Sequence, residues 1–580
     1  MPNYLKRMFA VGAAGALALS LAACGGDGGE SKSEGSSGAS TEAKAGGTLY
    51  YLQHYPFESV DPQRIYYGLE LANFRRTIYR GLTAFPITED EVEAAKPQPD
   101  LATDTGTPNE DASEWTFTLK DGVKWEDGTD ITCEDFRYGA SRVFANDLIT
   151  GGPNYILSYL DVKDYPGPYK ATPAQQAAFD KAIECSDDNK TITYHFSKPW
   201  ADFPLAVASL SMMDPYKKDF DEGAKSTWKV LANGPYKVEG GVWDKNKGAK
   251  LVRNENYDAA TDDPTLRKAL PDTIEYEINP SDTSVELIID RLIASSGKDQ
   301  YAVAGTTIPP TRYSQIQGPV KDRAELTSSP YNFYLVPNFK TMTNPDVRKA
   351  LAAAVDIEGV VKARGGEYAA EPAESIINSG VSGYQDNPAF AGSNTGDVEA
   401  AKALLEGSGE TLPYPLTFTY NKSDTNDKIA AVLKENWDAA GFKTTLDPLA
   451  DTYYDVISRP DKKSDVMLAG WGADWPSAMT VLPPLFDSRP NFSSTTCGQD
   501  YGCYESDAFN ALVDKAANAT DIDEQNGYLQ QADAQLGEDT AYIPLYVLKN
   551  YYIRGGKVTG YVVTPSTSMY PDLGAIGVEN

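Results

Sequence analysis

The sequence predicts a mixed α/β protein with at least two lobes, and three observations carry that expectation. The chain has 580 residues, more than one hydrophobic core usually serves. Its composition, 41% hydrophobic and 23% charged, is that of an ordered globular protein. Helix-like and strand-like stretches alternate through its second half.

Strand signals come first along the chain. Gly47 to Leu52 (GTLYYL) is rich in β-formers and follows a glycine pair, and Trp115 to Leu119 (WTFTL) alternates with period two. Asn344-Pro345 reads as an N-cap followed by proline at the first helical position, with Val347, Leu351 and Val355 spaced by four along one face. Leu416 to Tyr420 is predicted as a strand and Phe442 to Leu446 as another. Between them Asp427 to Ala440 reads as a helix, carrying Ile429, Val432 and Leu433 and closed by Gly441, which completes a βαβ unit. Asp465 to Gly470 supplies a further strand that runs into Trp471-Gly-Ala-Asp-Trp-Pro476. Ligands of open α/β sheets bind beyond the carboxyl ends of strands, so this loop is a candidate site.

Charge and composition exclude several classes of function. Lys and Arg number 52 against 83 Asp and Glu, a net charge of −31, which argues against a binder of nucleic-acid phosphates. Only two histidines, His54 and His195, argue against a His-based triad or a poly-His metal site. Ser295-x-x-Lys298 has the spacing of acyl-transfer serine enzymes but lacks their S-D-N and K-T-G partners. Asp244-Lys-Asn-Lys-Gly248 lacks the carboxylates of a calcium loop and reads as a hairpin turn, and Glu89 to Glu93 reads as a solvated loop. No catalytic residue, metal or cofactor is expected.

At the start of the chain, Lys6 and Arg7 precede an apolar run from Met8 to Ala23, 16 residues. A membrane span needs roughly 20, so residues 1–23 read as a secretion signal. The run ends in Leu21-Ala22-Ala23-Cys24-Gly25, which resembles the bacterial lipobox and implies a lipid on Cys24. Each buried acyl methylene adds about 0.8 kcal/mol to such an anchor. Residues 25–45 carry almost no apolar side chain and are expected to form a tether spanning on the order of 25 Å. The folded part is expected to begin near Gly46.

Four cysteines remain: Cys133, Cys185, Cys497 and Cys503. An even number outside the membrane suggests two disulfides, for which three connectivities exist. The short loop of turn formers between Cys497 and Cys503 favours a local bridge, leaving Cys133 to Cys185. C-x-x-C spacing for a metal is absent.

A series of motifs then stands in a recognisable order. It includes Tyr79-Arg-Gly-Leu82, Pro99-Asp-Leu-Ala102, Trp115 to Gly122, Val123-Lys-Trp-Glu-Asp-Gly128 and Thr132-Cys-Glu-Asp-Phe136. It continues with Asn233-Gly-Pro-Tyr236, Leu251 to Tyr257, Asp346-Val-Arg-Lys-Ala350 with Asp356, Ala401 to Leu405, Gly470-Trp471 with Asp474, and Tyr542-Ile-Pro-Leu545. Together they resemble the extracytoplasmic solute-binding proteins of peptide-type ABC importers, family 5 of the bacterial solute-binding proteins, over nearly all of residues 46–580.

That resemblance implies a two-lobed periplasmic-binding-protein-like fold, type II of the large peptide-binding class, with an extra subdomain in lobe one. Lobe one would run from 46 to 332 with the subdomain inserted at about 73–190. Lobe two would run from 333 to 546, and 547–580 would return to lobe one. It further implies a monomeric, lipid-anchored receptor that closes on a peptide ligand and docks on an ABC permease in the membrane. Asp474 matches the family's carboxylate for the ligand α-amine. Tyr66, Tyr67 and Gly68 would form one backbone rail and Ala469 to Gly472 the other, while Tyr334 and Trp471 would line side-chain pockets.

Two departures stand out. Leu468 lies three positions before Trp471, where some members place an arginine that holds the carboxylate of a short peptide; a longer peptide, or one read without its carboxylate, is therefore expected. Gly472 stands where some relatives carry a disulfide cysteine. The family also binds oligosaccharides, metal chelates and other solutes. With 36 tyrosines and eight tryptophans, an oligosaccharide or other solute remains the alternative ligand, and a secreted hydrolase or a surface interaction protein the alternatives of other classes.

Overall fold

The computed structural model describes residues 43–279, 284–391 and 394–579. The secretion signal, Cys24 and the tether up to residue 42 lie outside the described residues. The last tether residues are described: the Lys44 amide donates to Thr559 Oγ1 at 3.2 Å.

The fold is the two-lobed α/β class that the sequence predicts. One lobe carries a five-stranded sheet with Thr48–Gln53 near its centre, flanked in parallel by Thr273–Ile278 and Ala302–Ala304. A four-stranded sheet that includes Glu114–Thr118 and Thr191–His195 belongs to the same lobe. Its aromatic core, with Trp115, Phe136, Tyr194, Trp200 and Phe203, draws its buried side chains from residues 82–213, with Trp475 the single exception.

The other lobe is built on a six-stranded sheet with apolar layers on both faces. The βαβ unit is present: Tyr414–Asn421 pairs in parallel with Phe442–Leu449, joined by the helix Asp424–Ala439. That helix starts one turn earlier than its apolar spacing predicts, because Ser423 accepts from the Asn426 amide and sets the N-terminus. Asn344 caps Pro345–Ala353 as read from sequence, and Val347 and Leu351 are fully buried.

Two long strands join the halves. Ala324–Pro337 and Ile543–Ile553 form one antiparallel ladder with a main register shift between Ser328 and Asn332 and a second at Phe333/Tyr334. On one side of the main shift, Tyr551 and Ile553 pack with Leu52 and Ile288; on the other, Leu335, Ile543 and Leu545 pack with Leu351 and Leu433. Both cysteine pairs stand at bonding distance. Cys133–Cys185 ties the first turn of a helix to a strand edge in the first lobe, and Cys497–Cys503 closes a seven-residue loop in the second.

Candidate functional site

The loop after the strand Val466–Gly472 is held by Thr480. Its hydroxyl accepts the Asp474 amide at 3.1 Å, and its carbonyl accepts the Trp471 indole N–H at 2.8 Å. Asp474 is thereby fixed on the second lobe and aimed at the first. Its Oδ2 accepts from Tyr66 Oη at 2.9 Å and also from the hydroxyl of Tyr155. Both phenols come from the first lobe, so this carboxylate stands in the seam between the lobes.

Burial pushes the Asp474 carboxyl up to about 6, and the two phenol bonds pull it back only in part. No lysine or arginine is among the causes of the shift. Among the described residues, the partners that stabilise the Asp474 charge are therefore neutral hydroxyls. Asp474 keeps only part of its surface accessible, between the two lobes. Tyr55 behaves alike: it keeps 42% of its surface accessible while burial raises its hydroxyl well above the ordinary phenol range. Tyr331 lies in the same electrostatic neighbourhood as Asp474, Tyr55 and Tyr67, and Tyr570 adjoins Tyr331. The surroundings of Asp474 are rich in tyrosines, and the buried Glu70 carboxyl acts on Tyr55 and Tyr570 nearby.

The glycines of the strand explain its shape. Gly470 and Gly472 share one face and oppose Phe333 and Tyr331 in the antiparallel ladder. A Cβ on Gly472 would come within 2.7 Å of the Tyr331 ring, and one on Gly470 within 2.8 Å of Phe333. Both rings lie where side chains would otherwise stand. On its other edge the strand pairs only through Val466 and Met467, and Tyr453 donates its hydroxyl to the Leu468 carbonyl. Among the described residues, the stretch from Ala469 to Gly472 has no strand paired on that side.

The structure brings together some of the residues singled out from sequence and separates others. Tyr66 and Asp474 meet at the seam, Gly472 faces the Tyr331 ring, and Trp471 bonds within its own lobe to Thr480. Tyr67 and Gly68 follow Tyr66, at the start of the helix Gly68–Thr77, with the Tyr67 carbonyl accepting the Glu70 and Leu71 amides. Tyr334 departs from expectation: it is 2% exposed and packs edge-on against Tyr542 in the core beneath the sheet. Strand alternation puts it on the face opposite Phe333 and Leu335, and Tyr331 reaches the seam instead. The Ala469 side chain is buried in that same core, so only its backbone is open to a ligand. Of the residues not anticipated, Tyr155 follows the turn-rich Gly151-Gly-Pro-Asn154, which carries no ligand signal, and Trp475 adjoins Asp474. Ser295 and Lys298 have separate partners, the Gly556 amide and Glu277.

Residues 96–493 match the family model described as bacterial extracellular solute-binding proteins, family 5 Middle. The chain is 27% identical over 523 residues to the periplasmic oligopeptide-binding protein OppA of Salmonella typhimurium, covering 87% of each. It is 23% identical over 515 residues to the oligopeptide-binding protein OppA of Bacillus subtilis, covering 85% of this chain and 86% of that one. Among solved structures, "Clavulanic acid biosynthesis oligopeptide binding protein 2" superposes with a TM-score of 0.83 at 25% identity, covering 93% of this chain and 97% of its own.

Proposed function

The chain belongs to family 5 of the bacterial extracellular solute-binding proteins, and from that membership we propose that it captures oligopeptides outside the cytoplasm for an ABC importer. Cys24 carries the lipid that holds the monomer at the membrane, and the protein catalyses nothing. The lobes hinge where Ala324–Pro337 and Ile543–Ile553 cross between them, closing over the ligand and presenting the closed form to the permease.

One observation carries this reading: Asp474 is a desolvated carboxylate in the seam with no cation among the described residues to offset it. A peptide α-ammonium supplies that cation. The charge-assisted bond is worth about 1.5–3 kcal/mol where water is excluded. The unpaired edge of Ala469 to Gly472 would take the peptide backbone as an added strand. A neutral oligosaccharide could stack on the tyrosines but would leave the Asp474 charge uncompensated.

The test is thermal protection by a random pentapeptide pool with free amino termini, beside the same pool N-acetylated. Protection by the free pool alone, lost in Asp474→Asn, supports the reading. Equal protection by both pools, or by oligosaccharides in place of peptides, would overturn it.

A further inference from the structure

Trp475 belongs to the second lobe by chain position and to the first by packing. It is 3% exposed and is the one buried member of the 82–213 aromatic core from outside that stretch. Its ring meets Tyr155 edge-on with centroids 4.7 Å apart and lies 6.2 Å from Trp200. Its indole N–H donates to Asp202 Oδ2 at 2.6 Å, and Asp202 is 1% exposed. Ile522, at the start of the second-lobe helix Ile522–Asp539, packs against the same core. A large aromatic body with its one polar atom satisfied inside the partner lobe is the arrangement that concentrates binding energy at protein interfaces.

Tyr155 touches two neighbours of different kinds. Its ring packs on Trp475 and its hydroxyl donates to Asp474. Asp474 and Trp475 are consecutive in a loop that Thr480 holds rigid, so neither can approach the first lobe without the other. We propose that Trp475, seated in the first-lobe socket of Tyr155, Trp200 and Asp202, is the positioning residue that keeps the lobes closed, and that Tyr155 couples this latch to whatever occupies Asp474. The assignment rests on the peptide-receptor reading for the ligand but not for the latch. Closure governs escape, so the latch acts on the dissociation rate and leaves recognition of the amine to Asp474.

The experiment measures the distance between spin labels on cysteines introduced as Glu110→Cys and Glu505→Cys, exposed positions in the two lobes. The full chain is measured with and without the free-amine pentapeptide pool. In Trp475→Ala the closed fraction falls and the pool dissociates about tenfold faster, while thermal protection still distinguishes free from acetylated pool. Trp475→Phe recovers part of the closure. Asp202→Asn, which keeps an oxygen acceptor, closes like the parent, and Asp202→Ala does not. Parent-like distances and release rates in Trp475→Ala would overturn the latch. If the pool protects not even the parent, the peptide reading fails and the ligand-free distances decide alone: a closed population in the parent that Trp475→Ala lacks supports the latch, and identical distributions sink it.

Discussion

Tyr66 Oη donates to Asp474 Oδ2 at 2.9 Å, joining residues 408 positions apart in the chain. The bond ties the segment just before the helix Gly68–Thr77 in one lobe to the loop after the strand Val466–Gly472 in the other. It also leaves the carboxylate short of stabilisation, since a phenol offers a dipole where a buried anion calls for a charge.

Binding of a free-amine peptide should therefore depend on pH through Asp474. Its carboxyl sits near 6, and an ammonium beside it draws that value down. Affinity should be full above about pH 6 and fall as pH drops through it, with proton release on binding in the same window. Calorimetry from pH 7.5 to 4.5 checks this. Asp474→Asn should bind weakly and show no such slope.

Removing the charge should stabilise the ligand-free protein. The folded-state value of Asp474 lies above the ordinary carboxylate value, so the ionised form opposes folding at neutral pH, and the penalty fades as pH falls from about 6 toward 4. Asp474→Asn should gain on the order of 1 kcal/mol at pH 7.5. Urea unfolding should show no gain at pH 4.

Gly472→Ala should damage the site more than the fold. The new methyl would meet the Tyr331 ring at 2.7 Å and push it toward the seam. A stability loss of about 1–3 kcal/mol is expected from overpacking. Weakened peptide binding at temperatures where the variant is fully folded distinguishes displacement of Tyr331 from simple unfolding.

Arg142→Met should cost about 3–5 kcal/mol, because it strands buried carboxylates. Arg142 is fully buried, donates to both oxygens of Asp61 at 2.7 and 2.6 Å, and pairs with Asp221 at 3.1 Å. Asp61 caps the turn leading to Tyr66 by accepting the Gln63 amide. Urea denaturation reads the loss.

Local chemistry was legible wherever it is local. Ser423 aside, the caps, glycine stops and period-two runs marked elements that the structure contains, because hydrogen bonds within a few residues set their ends. The Asp474 loop was legible through its place after a strand and its resemblance to a family motif. Tyr334 was not, because period two says that neighbours face opposite ways without saying which face is the core. Only the layers against the sheet decide that Tyr334 is interior and Tyr331 is at the seam.

The sequence by itself determined the α/β class, the order of elements, the family, the pairing of neighbouring cysteines as the favoured bridge, and the aspartate to watch. Tertiary structure alone decided that Tyr66 and Tyr155 would share that aspartate, that no cation among the described residues would offset its charge, and that the next residue would lodge in the opposite lobe. These facts depend on which distant side chains exclude water from a common space, and burial of that kind has no period in the chain.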